Sequence, residues 1–461
     1  MQDLAETAIE SALDAGAQFC DVRIEDSLIT IIELDSKVTK TANALRKKGA
    51  GVRAFVDGAW AFAHTATLTK KAMQEIGSQV SRLAKAVVPH VHKKYDLDGP
   101  TYEGHVRTDA KTSVQDVSFE DKLSLAQRAD NDARSYDDRI VNARTYYRDQ
   151  LTKLSVANSF GTSVRNEISQ IVLLSTSIAK EQDNRQDGTK RLGFTAGFEK
   201  SIIDQFSGLG QESAELAIDL LSSTMVKGGT YKTILDPDIT GLLMHEAFGH
   251  ACEADNLLSH TTILEDQIGT ALGPDYLSIS DDPMIPQAYG SFGYDWEGTK
   301  TKKRFLVKNG VLSEFLHNLE TASVVNAEGN GAARAQDFRF PPVCRMSNTF
   351  VEPGDWKYDE MLAETREGLM LCDAVYGYCA PSDGMFTFRT HHGYLIEKGE
   401  KAGIVRGASL AGQILEILEK IKAIGNEVSL SPGGCGKWWQ YAAVMDGGPY
   451  VLVDNVPVGG A

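Results

Sequence analysis

The chain is predicted to be an α+β protein: a two-layer N-terminal α/β portion built on an antiparallel meander, then a β-rich, barrel-like C-terminal domain carrying a short histidine-bearing helix. Three observations predict it. Strand-like and helix-like segments come in blocks instead of strict βαβ alternation. From Asp281 onward the chain is a series of short β runs broken by glycine-rich turns. A short linker at 225–230, containing Gly228 and Gly229, separates the two regimes. With 461 residues, 42% of them apolar, the chain is long enough for two or three cores. It divides at this linker into 1–225, with subdomains at about 1–87 and 117–225, and 226–461.

The elements follow in order. Residues 3 to 16 carry Leu4, Ala8, Ile9 and Leu13 on one side and stop at Gly16, which predicts an amphipathic helix. CDVRIED and LITIIELD alternate as strands do, and GVRAFVDGAWAFAHTA joins two apolar runs across Asp57-Gly58, a hairpin signal. Thr69 caps a second helix through Met73, Ile76, Val80 and Leu83. Residues 88–116 have no periodicity and read as a connecting arm, so His90, His92 and His105 within it are assigned to a solvated loop. Ser118 caps a helix to about residue 134, and 141–180 reads as one long hairpin with NSFGT as its loop. The run EQDNRQDGTKR is assigned to a solvated tip, and a helix is expected at 211–224. In the C-terminal part GSFGYDWEGT, TKKRFLVKNG, GVLSEFLHN, MFTFRTHHGYLIEKGE and PYVLVDNVPVGG are the expected β runs, with one helix at 409–424.

Composition narrows the function classes. A net charge of −16 argues against nucleic acid or an anionic membrane as the main partner. The N-terminus is acidic where a signal peptide is basic, and no apolar run reaches the length of a membrane span, so the expected location is the cytoplasm. Six scattered cysteines do not form a disulfide framework and are expected to be free thiols.

One stretch holds a constellation with chemistry. In DPDITGLLMHEAFGHACEAD, Asp236 is a good N-cap and Pro237 suits the first helical turn; His245, Glu246 and His250 follow in the order His-Glu-x-x-x-His. Two imidazoles can ligate zinc, and a carboxylate between them can act as base. The spacing is one residue wider than H-E-x-x-H. On an unmodified α-helix the second ring would sit roughly 140° from the first. A local π-type turn between His245 and His250 is therefore expected, with Gly249 permitting the distortion. Glu253 is a ligand, a carboxylate fixing the His250 ring, or a plain surface acid. Cys252 is expected to pack.

One helix cannot close a metal shell, so a third ligand must come from the later sequence. Cys435 in SPGGCGKWWQ is the strongest candidate, with glycines on both sides and Lys437 to favour its thiolate. His391 and His392 compete for the role, although adjacent strand residues face opposite sides and one alone can point inward. Cys344 reads as core, Cys372 and Cys379 lack metal-knuckle spacing, and GNGAAR at 329–334 is too short for a dinucleotide loop.

HEAFGHACEAD, GYDWEGTKTKKRFLVKNGVLSEFL, NGAAR with RMSNTFVEPG, GMFTFRTHHGYLIEKGE and PGGCGKWWQ occur in the order seen in the TldD/PmbA metallopeptidases, which the C-terminal half resembles throughout. The resemblance implies zinc, one ion per chain, held by His245, His250 and Cys435, with Glu246 as the catalytic carboxylate. Because the His-Glu-x-x-x-His motif is kept, the chain resembles the catalytic TldD-type member, and its motif-lacking TldE/PmbA-type relatives are the implied partners of a heterodimer, a homodimer being the other option. The implied activity is hydrolysis of small, unfolded or modified peptides, with Glu246 moving the proton from water to the leaving amine. His391, His392, Tyr394 and Arg334 are the candidate substrate or oxyanion contacts. The other reading is a non-hydrolytic peptide- or protein-binding module whose metal is structural; four protein ligands would mark that site, three a catalytic one.

Overall fold

The computed structural model describes residues 1–460. Its N-terminal half is built on a seven-stranded sheet in the order Ala59–Thr65, Val38–Val56, Phe19–Asp35, Ile140–Asn158, Ser163–Glu181, the last pairing with both Glu103–Arg107 and Asn184–Phe194. Four of these strands run 17 to 19 residues. The expected hairpins form: Asp57 and Gly58 both take positive φ between Val56 and its partner Ala59, and residues 159–162 turn the long pair 140–181. Thr69 and Ser118 cap their helices by accepting the N–H of Ala72 and Asp121.

Each face of the central strand Phe19–Asp35 has its own chemistry. Val22 and Ile24 meet the helices Gln2–Asp14 and Lys70–Val87 through Ala8, Met73 and Val80. Ile32 and Leu34, of the same parity, meet Leu125 and Ala129 of Phe119–Ser135. The alternate residues Asp21, Arg23, Glu25 and Ser27 point to the other face and are just as buried. The C-terminal half covers them: Arg53 pairs with Asp21 and with Glu297, and Arg23 donates to the Phe340 carbonyl. A face of charged and hydroxyl side chains, buried by the second half of the chain, thus backs the apolar helix-bearing face.

The C-terminal half contains two further large sheets. One has six strands in the order Val311–Leu312, Arg304–Lys308, Ile279–Asp281, Asn348–Val351, Gln440–Gly448, Ser429–Lys437. In the other, Gly368–Ala380, Gly229–Leu235, Val451–Gly459, Ser409–Gln413 and Met385–Glu397 pair in turn, and the last returns to the first, closing a five-stranded barrel. The helix that starts at Pro237 is sandwiched among these strands, with Ile239, Leu243, Met244, Ala247 and Phe248 in the main core. No helix of the described residues is long and apolar enough to cross a membrane.

Several local expectations are corrected. EQDNRQDGTKR is not a free tip: after a turn at Gln182, Asn184–Phe194 is a full strand along Ser163–Glu181, and the helix Leu209–Leu221 packs onto it at Gly188. Residues 409–424 are not one helix. They form the strand Ser409–Gln413, a short helix Ile414–Glu419 and the strand Ile421–Ile424, because pairing with Met385–Arg389 and with Val451–Val453 outweighs local propensity. GSFGYDWEGT is a loop instead of a β run. Asp295 organises it, one carboxylate oxygen accepting the N–H groups of Glu297 and Thr299 and the other that of Ala333. Within the 88–116 arm, Glu103–Arg107 is a strand, while His90, His92 and His105 are exposed as expected.

Candidate metal centre

The helix bearing the histidines changes pitch where the spacing requires it. Asp236 caps it by accepting the Ile239 N–H at 2.8 Å. Pro237–Leu242 is α-helical, Leu243–Gly249 is a π-helix, and His250–Cys252 closes as a 3-10 turn. The N–H of His250 bonds the carbonyl of His245, the i to i+5 link of a wide turn. The two ring centroids are 5.2 Å apart, with the planes at 89°. Gly249 serves the turn in another way than expected: its backbone is ordinary helix, at φ −58 and ψ −46, and an added Cβ would lie 2.1 Å from the Met346 sulfur. Closeness of packing, not conformational freedom, requires the glycine.

Cys435 arrives from the strand Ser429–Lys437, paired on one side with Gln440–Gly448 and on the other with no strand. Its sulfur is 3.3 Å from Nε2 of His250 and also hydrogen-bonds His245. Ligand atoms of His245, His250 and Cys435 all lie within 4.8 Å of one another, and no other His, Cys, Asp or Glu joins this group among the described residues. The set fits zinc. Typical Zn–N and Zn–S lengths at a tetrahedral angle put nitrogen and sulfur about 3.5 Å apart, close to the separation found. Electrostatics agree with this. Burial pushes the Cys435 thiol up, yet His250 and His245 beside it hold it well below the usual thiol range, which favours the thiolate form. Burial likewise lowers the His245 imidazole, but the same sulfur reverses the shift and takes it up to about 9. Two rings and one thiolate that stabilise each other's charge are a site that a dication can replace protons in.

Around the triad stands a brace of charged groups. Nδ1 of His250 meets Oε2 of Glu253 at 2.8 Å, leaving Nε2 turned toward the sulfur. Of the three roles open to Glu253, this is that of the carboxylate fixing the ring. Glu253 lies just past the helix in extended backbone and is fully buried. Burial would raise its carboxyl, whereas Lys437, His250 and Arg345 hold it well below the normal range. Lys437 corrects the expectation made for it: its ammonium donates to Glu253 at 2.9 Å and Asp255 at 2.6 Å, not to the thiolate. Arg345 donates to the carbonyl of Cys435 at 2.5 Å, and Asp446 stands 3.9 Å from Nδ1 of His245. Sequence reasoning misses Arg345 and Asp446 because their partners lie 90 and 201 residues away in the chain, and buried charge is their only local signal.

Glu246 is partly exposed, its Oε2 3.8 Å from Nε2 of His250, so its carboxylate is on the ligand side of the helix. Its side chain runs beside Gly377, the partner of Phe388. His391 and His392 are three and four residues further along that strand, roughly 10 and 13 Å away at about 3.3 Å per residue. The structure therefore does not bring them to the triad. His391 faces Asp187 at 3.3 Å and His392 faces Asp373 at 3.6 Å; Asp373 in turn donates its N–H to Asp236, at the opposite end of the histidine-bearing helix. Tyr394 lies under Lys401 in a separate small cluster. The two ring centroids stay 6.1 Å apart, both rings among the acids Asp187 and Asp373 and away from the triad. Arg334, in contrast, lies close enough to feel the Cys435 charge. All six cysteines are free, with Cys252 and Cys344 fully buried in the core.

Comparison with known proteins agrees with this geometry. Models of the PmbA/TldA metallopeptidase match in three consecutive segments: domain 1 at residues 20–87, the central domain at 113–221 and the C-terminal domain at 228–460. A metalloprotease of Methanocaldococcus jannaschii is 34% identical over 95% of this chain and 96% of its own. A zinc metalloprotease TldD homolog of Saccharolobus solfataricus is 26% identical over 98% and 99%. Among solved structures, TldE of Thermococcus kodakarensis superposes with a TM-score of 0.81 at 17% identity, over 99% of this chain and 100% of that one. A Thermotoga maritima protein described as a modulator of DNA gyrase gives 0.82 at 22%, over 99% and 100%. These last two are likenesses of fold. With family models spanning all three segments and a relative of this identity along its whole length, the chain belongs to the TldD/PmbA family of metallopeptidases.

Proposed function

We propose that this protein hydrolyses small, extended peptides at one zinc ion held by His245, His250 and Cys435, with Glu246 as general base. The observation that carries the reading is the convergence of three deprotonable donors on one point, with no fourth His, Cys, Asp or Glu joining them among the described residues and with the partly exposed Glu246 beside them. A zinc ion there supplies Lewis acidity toward the scissile carbonyl. The remaining work falls to the chain. Glu246 takes a proton from the attacking water as the new C–O bond forms, and returns it to the amine nitrogen as the C–N bond breaks. Glu253 keeps the His250 ring in the tautomer whose Nε2 is free to ligate, and Lys437 keeps Glu253 charged. The unpaired edge of Ser429–Lys437, with glycines at 433, 434 and 436, offers backbone groups to an extended peptide, which reads main chain more than side chains.

A closed structural site would need a fourth donor. Glu253 is engaged on the outer nitrogen of His250, which favours the catalytic reading. For assembly, a homodimer or a pair with a TldE-type relative is supported by the hairpin tip next to Cys435, where Trp438 and Trp439 are 62% and 97% exposed, the aromatic content typical of interfaces. The decisive variant is Glu246→Gln. It is expected to lower peptide hydrolysis by at least ~100-fold while zinc content, read by metal analysis, stays at the wild-type level. Undiminished turnover would remove the assigned base.

A further inference from the structure

Between the polar face of the N-terminal sheet and the C-terminal half lies a cavity of about 550 Å³. None of the three metal-site donors lines it, but Gly433, Gly434 and Ala442 do, the first two preceding Cys435 on its strand and the third facing it across the ladder. An extended peptide laid along the unpaired edge of that strand would reach from the triad to the cavity within two or three residues, at about 3.3 Å each.

Of the cations in and around this seam, Arg23 gives a hydrogen bond to the Phe340 carbonyl and does not line the cavity, and four others are held by carboxylates. Lys47 is held by Asp337, Arg191 by Asp238, Arg53 by Asp21 and Glu297, and Arg304 by Asp281. Arg148 and Arg334, which both line the cavity, make no ion pair among the described residues. Arg148 donates to the Gln150 side-chain oxygen. Arg334 is 5% exposed, gives one hydrogen bond to the Met346 carbonyl at 2.8 Å, lies over the rings of Phe292 and Trp296, and leaves Nε with no partner. Burial, reinforced by the nearby Arg345, brings its guanidinium down to about 9, and no carboxylate touches it. The acids of the same cavity do not compensate. Asp337 is taken by Lys47 and Arg339, and burial raises Glu25 to about 7.

We propose that Arg148 and Arg334 form a carboxylate-binding subsite, one guanidinium on each wall of the cavity, so that the enzyme prefers peptides presenting a carboxylate a few residues from the scissile bond. The inference rests on the peptidase reading, whose substrate class it narrows. A guanidinium matches a carboxylate in charge and in fork geometry. On a chain of net charge −16 a pocket with two free cations also concentrates an anionic group that the rest of the surface repels. The carboxylate has two sources, the α-carboxylate of the peptide's C-terminus or an Asp or Glu side chain.

The test uses three fluorophore-labelled alanine-glycine peptides: a free acid, its C-terminal amide, and the amide with one aspartate. Affinity is read by anisotropy on zinc-loaded Glu246→Gln full-length protein, which requires no turnover, and cleavage by mass spectrometry on the wild type. The free acid, the aspartyl amide or both should bind roughly 10- to 100-fold tighter than the neutral amide, and which of them does so identifies the source. Adding Arg334→Gln or Arg148→Gln to that protein should each shrink this ratio, and Arg334→Lys should preserve part of it. If Arg334→Gln melts early, the less buried Arg148→Gln carries the test. Equal affinity for all three peptides, or a ratio that survives both substitutions, overturns the subsite. Absence of cleavage of every peptide by the zinc-loaded wild type would instead overturn the peptidase reading, and the affinity ratio would still be legible.

Discussion

Two buried clusters of ionisable groups sit in this molecule, and they are built on opposite plans. At the seam between the halves, Arg53 is enclosed by Asp21 and Glu297 and stacks over Trp60. Its charges are spent on one another. At the candidate metal centre, His245, His250 and Cys435 turn two nitrogens and a sulfur to a shared point, while Glu253, Lys437 and Arg345 press from outside. Burial alone does not separate the two, since Asp21 and His245 are 1% and 2% exposed. What separates them is where the acceptors aim: inward onto a cation already present in the chain, or onto one another around a point that an added cation would fit.

The largest effect expected from that difference is on the donors. His250→Ala should abolish zinc retention and lower hydrolysis by more than about 1000-fold, while the metal-free protein melts close to metal-free wild type, as metal analysis, peptide turnover and calorimetry together would show. Arg53→Met should do the reverse. Two carboxylates left without their cation cost about 3–5 kcal/mol of stability, seen in urea unfolding, with zinc affinity unchanged in the folded fraction. An equal loss of metal would mean that the two clusters are one unit.

A buried histidine outside either cluster sharpens the contrast. His317, with only Thr321 beside its Nδ1, is lowered by burial to about 4, whereas the His245 ring is raised to about 9. The unfolded chain takes up a proton at His317 below about 6.5, and the folded chain does so only near 4. This residue's contribution is therefore fully present above pH 6.5 and is lost as pH falls toward 4, on the order of 3 kcal/mol across the window. His317→Gln should flatten the acid limb of stability against pH; an unchanged limb would contradict the depressed value. The smallest effect is expected at the brace. Glu253→Gln keeps the shape and drops the charge, and should weaken zinc affinity by about 10- to 100-fold without removing the metal at saturating concentration, as a competitive chelator titration would read. Unaltered affinity would reduce Glu253 to a packing residue.

Local chemistry was legible wherever the partners are near in sequence. Thr69, Ser118 and Asp236 each cap a residue three positions ahead, Asp57-Gly58 turns its own hairpin, and the wide turn at 243–249 follows from the spacing of His245 and His250 alone. The failures are of one kind. Residues 409–424 look helical and 184–194 look solvated until their distant strands are in place. His391 and His392 look reactive until the register puts them several residues beyond Glu246.

By itself, then, the sequence determined the helix, its cap, its pitch change and the residue types able to hold a metal, because hydrogen bonds three to five residues apart are set by local backbone geometry. Only the tertiary structure decided that Cys435 joins those rings from 185 residues away, that Lys437 braces Glu253 instead of the thiolate, and that two arginines without an ion-pair partner line the nearby cavity. Such contacts depend on barrel closure and sheet register, which no stretch of chain encodes locally.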